Sequence, residues 1–331
     1  MAPAVRRALA WLRRWGVSFG SLAGGVATLF VFRRGLPHVG WIVGYLLLLW
    51  LLFAVLTETR QVLEASGRRG RRLVVFAADY TIQTLYHALL LFVLPAYWAS
   101  TTLTSVNAPF FGLLVALALL ATFDPWYRAT VARLPWVTYV FFVVSMFAAL
   151  DIALPLVGLP PFWSQLLSAW TAVAALAPPV RRRRGWSWRR AFLATAVGGL
   201  GAIVLVVVGR AWIPPVPLFL AQATLARDVA DGEPVDPIED DVSVQDLKGL
   251  VAYTAVHAPA GLRQAIAHVW RHESRVVTVV PLSPVHGGRR EGFRTYSRKT
   301  VVPSNPLGRW SVDVVTSSGQ LIGRLRFEVV P

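Results

Sequence analysis

Tyr45-Leu46-Leu47-Leu48-Leu49-Trp50-Leu51-Leu52-Phe53 is nine residues with no charge and no strand-like alternation. The stretch lies inside a longer apolar run, Val39–Thr57. A helix needs roughly 20 such residues to cross the hydrocarbon of a bilayer. Similar runs flank it: Trp15–Phe32 before, then Leu73–Ser100, Pro109–Phe123, Pro135–Val157, Phe162–Pro178 and Ala191–Ile213. The spacing predicts an α-helical membrane bundle of about seven transmembrane helices over residues 1–213. Pro109–Phe123 is the shortest run, and with only Arg33 to His38 between them the first two read as a tight hairpin. Composition agrees, since 55% of the 331 residues are hydrophobic and 15% charged, against about 25% charged in soluble domains.

The charge is unevenly placed. The formal net is +16; residues 1–213 hold 20 Lys/Arg and 5 Asp/Glu, and residues 214–331 hold 13 and 12. A nucleic-acid binder concentrates positive charge on its soluble part, so no nucleic-acid partner is expected. Seventeen arginines fall on one set of loops, and only Arg33 and Arg34 fall on the alternate set. Cytoplasmic loops carry the Lys/Arg excess. The expectation is a bacterial inner (cytoplasmic) membrane protein with a cytoplasmic N-terminus and a periplasmic C-terminal domain. The run Arg181–Arg184 needs no further ligand on this reading, and Trp186 and Trp188 beside it fit an interfacial aromatic belt. Arg33-Arg34 follows the first apolar run where a cleaved signal peptide would carry small residues. The chain has no cysteine, which removes disulfides, thiolate catalysis and Cys-based zinc sites.

Pro214-Pro215-Val216-Pro217 stops the last apolar helix. Leu218–Ala230 has helical spacing and is expected to lie on the membrane surface, and the acidic stretch Asp231–Asp246 reads as a linker. Residues 214–246 are thus an interfacial segment and linker. From residue 247 the apolar period becomes two. Candidate strands are Leu250–Val256, Arg263–Trp270, Arg275–Val280, Phe293–Val302, Arg309–Thr316 and Leu321–Val330. Trp310, Val312 and Val314 alternate with Ser311 and Asp313, and Ser317-Ser318-Gly319-Gln320 makes a hairpin turn before the last strand. Residues 247–331 therefore predict a small, antiparallel, immunoglobulin-like β-sandwich, able to fold by itself from about Asp241.

These residues also carry a resemblance. His268-Val269-Trp270, Arg294–Lys299, Gly308-Arg309-Trp310-Ser311-Val312-Asp313-Val314, Gly319 and the closing Leu325–Val329 strand resemble the bacterial domain of unknown function 2914. The resemblance covers the last quarter of the chain. It implies an architecture and no reaction.

Charged or polar groups inside a bilayer are costly and mark function by default. Asp79, Gln83 and His87 follow at i, i+4 and i+8, one face of a helix. Asp151, near the outer end of its helix, comes to a similar depth as His87, and Gln165 enters from the outer end of the next helix. A His87–Asp151 pair is expected either to relay protons or to tie helices together. In the sandwich, His268, Trp270 and His272 share one strand face and, with Tyr296, are the candidates for ligand contact. Zinc would need a third ligand such as His257, Glu273 or His286, and core or edge packing is the simpler reading. There is no Gly-x-Ser-x-Gly elbow, no phosphate loop and no His-Glu-x-x-His. No catalytic residue, metal or cofactor is assigned. Gly198-Gly199-Leu200-Gly201 reads as a helix-packing surface.

The leading expectation is a non-enzymatic membrane protein whose partners are the lipid bilayer and an envelope protein or glycan met by the sandwich. Two other readings stand beside it: a transporter or proton-coupled protein using the polar helix face, and a membrane enzyme with its site at the outer mouth of the bundle.

Overall fold

In this computed structural model the described residues are Gly44, residues 47–55 and residues 69–331 apart from 239–240. The expected span Trp15–Phe32, Arg33-Arg34 and much of Val39–Thr57 lie outside them. Residues 47–55 are helical. The chain then forms α1 (Arg69–Ala99), α2 (Ala108–Thr122), α3 (Asp124–Arg133), α4 (Val137–Leu156), α5 (Pro161–Ala174), α6 (Ala177–Arg184) and α7 (Trp188–Gly209).

Three helices among the described residues are long and apolar enough to cross a membrane: Ala77–Ala99, Val137–Leu156 and Trp188–Trp212. The pair Ala108–Thr122 and Asp124–Arg133, bent by 106°, makes a fourth if counted as one span. The described residues thus account for three or four of the seven expected spans. The expected span Phe162–Pro178 is interrupted, because α5 stops at Ala174 and α6 begins just before Pro178-Pro179. Asp124–Arg133, expected as a loop, is helical: proline occupies its first turn beside the acidic Asp124, both favourable at a helix start.

The same prolines explain how the helices are tied together. In a continuous helix the carbonyls of Ala121, Ala174 and Ala175 would accept from residues 125, 178 and 179, and all three are prolines without an N–H. Each carbonyl finds a side-chain donor from another helix. Gln83 Nε2 donates to Ala121 O at 3.0 Å, Thr195 Oγ1 to Ala174 O at 3.1 Å, and Trp50 Nε1 to Ala175 O at 3.1 Å. Gly199 meets the expectation of close packing: a Cβ there would lie 2.7 Å from Trp170 Cδ1, and Trp170 Nε1 donates to Ala196 O at 3.1 Å.

The chain divides into two compact units, one holding the bodies of the helices to Val207, the other Ala96–Phe111, Leu154–Ser164 and Val208–Pro331. In the second unit the strands are β1 (Phe219–Ala230), β2 (Glu233–Ile238), β3 (Val242–Ser243), β4 (Val251–His257), β5 (Arg263–Gln264), β6 (Ile266–His272), β7 (Arg275–Pro281), β8 (Val285–His286), β9 (Phe293–Arg298), β10 (Gly308–Thr316) and β11 (Leu321–Val330). One sheet runs β2-β1-β4-β9, the other β3-β11-β10-β6-β7, with β5-β8 a small ribbon. Leu225 and Ala252 from the first sheet pack with Trp270, Trp310, Val312 and Leu325 from the second, giving a β-sandwich-like core.

Three expectations are corrected here. Leu218–Ala230 is not a surface helix but contains β1, paired with β4 from Phe219↔His257 to Ala226↔Val251 and with β2 on its other side. Its Ala- and Leu-rich sequence has helix propensity, and two-sided pairing overrides it. The expected linker is largely structured: the turn Asp231-Gly232 takes positive φ at both residues, as a two-residue hairpin requires, and leads into β2. The pairing is also not wholly antiparallel. β3 runs parallel to β11 through Val329↔Val242, its connection spanning the rest of the domain rather than a crossover helix.

Candidate functional site

The polar face of α1 turns inward at Gln83 and His87, and both are buried. Besides Ala121 O, Gln83 Nε2 reaches Asp124 Oδ1 at 2.5 Å. His87 Nδ1 lies 2.9 Å from Thr122 Oγ1, which itself donates to Ala118 O at 2.8 Å. These side chains therefore hold the α2–α3 bend. Asp79, two turns before His87, is half-buried, and Asp151 of α4 and Gln165 of α5 are fully buried.

In the sandwich β6 and β10 align His272, Trp270 and His268 opposite Trp310, Val312 and Val314. His268 is buried between the sheets. Its Nε2 lies 3.0 Å from Thr254 Oγ1 and its Nδ1 2.8 Å from Ser297 Oγ. Trp270 Nε1 donates to the same hydroxyl at 2.9 Å. Burial pushes the His268 imidazole down to about 4, so it is neutral at pH 7. Lys299 sits beside this network, with its Nζ 2.7 Å from Thr278 Oγ1 and 5.8 and 5.5 Å from the ring centres of Trp270 and Trp310. Desolvation lowers its affinity for a proton.

The structure brings His268 and Trp270 together through Ser297. His272 shares their face, stacking on Trp310 at 4.7 Å with Nε2 2.9 Å from Leu307 O. Tyr296 is elsewhere, 50% exposed on the outer side of β9. Of the residues considered as further zinc ligands, His257 stacks on Phe219, His286 packs by Phe293, and Glu273 Oε1 accepts from Arg309 N. Among the described residues no three such side chains converge on a metal position.

A site the sequence reading missed lies on the outer face of the larger sheet. Asp313 of β10 is opposite Arg324 of β11. Its carboxylate accepts from Arg271 Nε at 2.9 Å and from Arg324 Nη2 at 2.8 Å, with a further bond from Arg324 Nε. These bonds hold the proton on Arg324 more firmly than usual. Arg326 donates to Thr104 Oγ1 at 2.7 Å. A cleft of 490 Å³ opens beside them, bounded by Arg309, Ser311, Arg324, Arg326, Glu273 and Glu328. Arg309 is 83% exposed there, 3.8 Å from Glu273. The signal in the sequence was the alternation of Arg309, Ser311 and Asp313, and of Arg324, Arg326 and Glu328, with apolar residues.

Membrane-compatible helices followed by a β-sandwich-like domain define the class: a two-part protein with a helical front and an all-β end. The chain belongs to DUF5924, a family of unknown function, whose family model matches residues 1–253. Residues 263–329 match DUF2914, a protein of unknown function, in agreement with the motifs that suggested it. The boundary between the two matches cuts through the sandwich. β1, β2, β3 and the start of β4 belong to the first, and β5 to β10 and most of β11 to the second. No curated protein and no solved structure matches the chain.

Proposed function

We propose that the protein is an integral inner-membrane protein whose helices anchor a periplasmic sandwich, and that the sandwich binds an envelope protein or glycan in the arginine-lined cleft. The cleft carries this reading. Arg309 is exposed at its rim, and Arg324 in its wall is held in fixed orientation by Asp313, so a hydrogen-bond donor is presented without being ordered on binding. The mixture of arginines with Glu273, Glu328 and Ser311 suits a polar partner.

Orientation rests on the 17-to-2 arginine bias. Consistent with it, residues 100–107, 157–160 and 210–218 fall in the unit that contains the sandwich, and Arg128, Arg133 and Arg181–Arg190 fall in the other. A periplasm-dependent reporter fused after Pro331 should be active, and one fused after Gly70 silent; the reverse pattern defeats the orientation. For binding, a photo-crosslinker replacing Arg309 in cells should trap a partner, and one replacing Tyr296 on the opposite sheet should not. Crosslinks from position 296 alone would place the binding face elsewhere.

A second reading, a transporter or proton-coupled protein, is favoured by one observation, the complete burial of Asp151 in an apolar helix. His87→Cys in this Cys-free chain tests it. Labelling by a membrane-impermeant thiol reagent favours a water-filled path; full protection favours the anchoring role.

A further inference from the structure

One end of the sandwich adjoins the point where the chain leaves α7. β1 starts at Phe219, shortly after Trp212, and the pairs Phe219↔His257 and Val256↔Phe293 bring the end of β4 and the start of β9 to the same level. Gln320 Nε2 donates to Ile213 O at 3.3 Å, and a Cβ on Gly158 would meet Gly261 O at 3.4 Å. The turns 258–262, 286–292 and 317–320 therefore all gather at this end. Trp98, Trp163 and Trp212, at the neighbouring ends of α1 and α5 and just after α7, are all exposed, as interfacial tryptophans are.

The turn 286–292 reads His286-Gly287-Gly288-Arg289-Arg290-Glu291-Gly292. It is clamped to its neighbour: Gly287 N donates to Leu262 O and Gly288 N to Ala258 O, each at 3.0 Å. Any Cβ at position 287 would run into the carbonyl of Pro259. The clamp presents Arg289 and Arg290 outward, both exposed. Arg294 is already paired with Glu233 and Glu291, each at 2.8 Å. Among the described residues no carboxylate pairs with Arg289 or Arg290; Arg289 lies 5.2 Å over the Phe293 ring. A shallow depression of 430 Å³ lies between these side chains. Arg263, paired with His286 across β5 and β8, is also exposed.

We infer that this arginine turn is a lipid-headgroup contact, in which Arg289 and Arg290 bind the phosphates of anionic lipid and seat the sandwich on the bilayer. The inference rests on the helices being membrane-inserted and is independent of which side the sandwich faces. Two guanidinium groups carried on a backbone-clamped turn match phosphate oxygens. Their attraction to an anionic surface acts within about a Debye length, so the placement of the turn decides whether it operates.

The test uses the full chain in nanodiscs of phosphatidylcholine alone or with phosphatidylglycerol. Amide exchange across residues 286–292 should slow about fivefold or more in the anionic discs, on the scale two near-surface arginines give. The slowing should vanish in the R289Q/R290Q double variant with its melting curve unchanged, and fade at high salt. Equal exchange in both lipids, or slowing that survives R289Q/R290Q, overturns the inference. So does full protection by inorganic phosphate in phosphatidylcholine discs, which would make this a soluble-anion site. A chain that never enters the discs defeats the membrane reading itself, a separate outcome.

Discussion

Gln83 of α1 gives its side-chain amide to the carbonyl of Ala121, the one carbonyl at the α2–α3 bend whose helical donor would be Pro125. A polar residue in an apolar helix is here the substitute for a missing backbone N–H. Gln83→Leu should destabilise the protein by about 1–3 kcal/mol, the cost of leaving a buried acceptor unpaired. Pro125→Ala, which restores the N–H, should recover part of that loss. Thermal unfolding of the four forms in detergent gives the coupling; simple additivity would separate the two residues.

Gly199 and Trp170 make a second contact between helices, and only one glycine of the Gly198–Gly201 group is sterically committed to an indole. Gly199→Leu should lower the melting temperature clearly. Gly201→Ala, with nothing within 4 Å of its Cβ, should leave it unchanged or slightly higher. Equal effects would mean that α5 and α7 do not pack at Gly199.

In the sandwich, Ser297→Ala removes the one hydroxyl shared by Trp270 and His268. The expected loss is about 1–3 kcal/mol, read by tryptophan fluorescence during urea unfolding. The same network gives a pH dependence. The folded-state value for His268, about 4, lies below the ordinary 6.5, so the unfolded chain binds more protons between them. Stability from this group is fully present above pH 6.5 and is lost as the pH falls toward 4. Its imidazole resonance, followed by NMR in the folded protein, should titrate near 4; titration near 6.5 would place the ring in water.

Lys299 is buried with one hydroxyl and two indole faces and, among the described residues, no carboxylate. Replacing a buried charge by an apolar side chain of similar length removes a desolvation cost. Lys299→Met should therefore leave stability equal or higher, and Lys299→Ala should lower it by roughly 2 kcal/mol through the cavity. A large loss with Met would mean that the ammonium itself holds the two tryptophans.

The domain boundary follows from β1. A fragment from Asp241 to Pro331 lacks β1 and β2, so the central strand β4 loses one neighbour and Leu225 leaves the core. Residues 214–331 should give a folded β-rich fragment by circular dichroism and cooperative melting, and residues 241–331 should not. A well-folded shorter fragment would make β1 an accessory strand.

Much was legible without coordinates where the signal is local. The alternation of Trp310, Val312 and Val314 reports burial residue by residue, because hydrophobic period follows directly from which face meets water. The hairpin at Ser317–Gln320 is local in the same sense. Leu218–Ala230 failed because its strand state comes from β4 and β2, distant partners whose pairing outweighs its own helix preference. The Asp231-Gly232 turn was a written clue, masked by the acidic context. The polar face Asp79, Gln83, His87 was visible as a face, but its attachment to Ala121, Thr122 and Asp124 was not, since it depends on how α1 lies against a helix some forty residues away. By itself the sequence determined an apolar helical front, a β end and the likeness of that end to the 2914 domain. Tertiary structure alone decided that β1 and β2 complete the sandwich, that Asp313 gathers Arg271 and Arg324, and that Arg289 and Arg290 share the end beside Ile213. Each of these joins residues far apart in the chain, and such contacts arise only when the whole core closes.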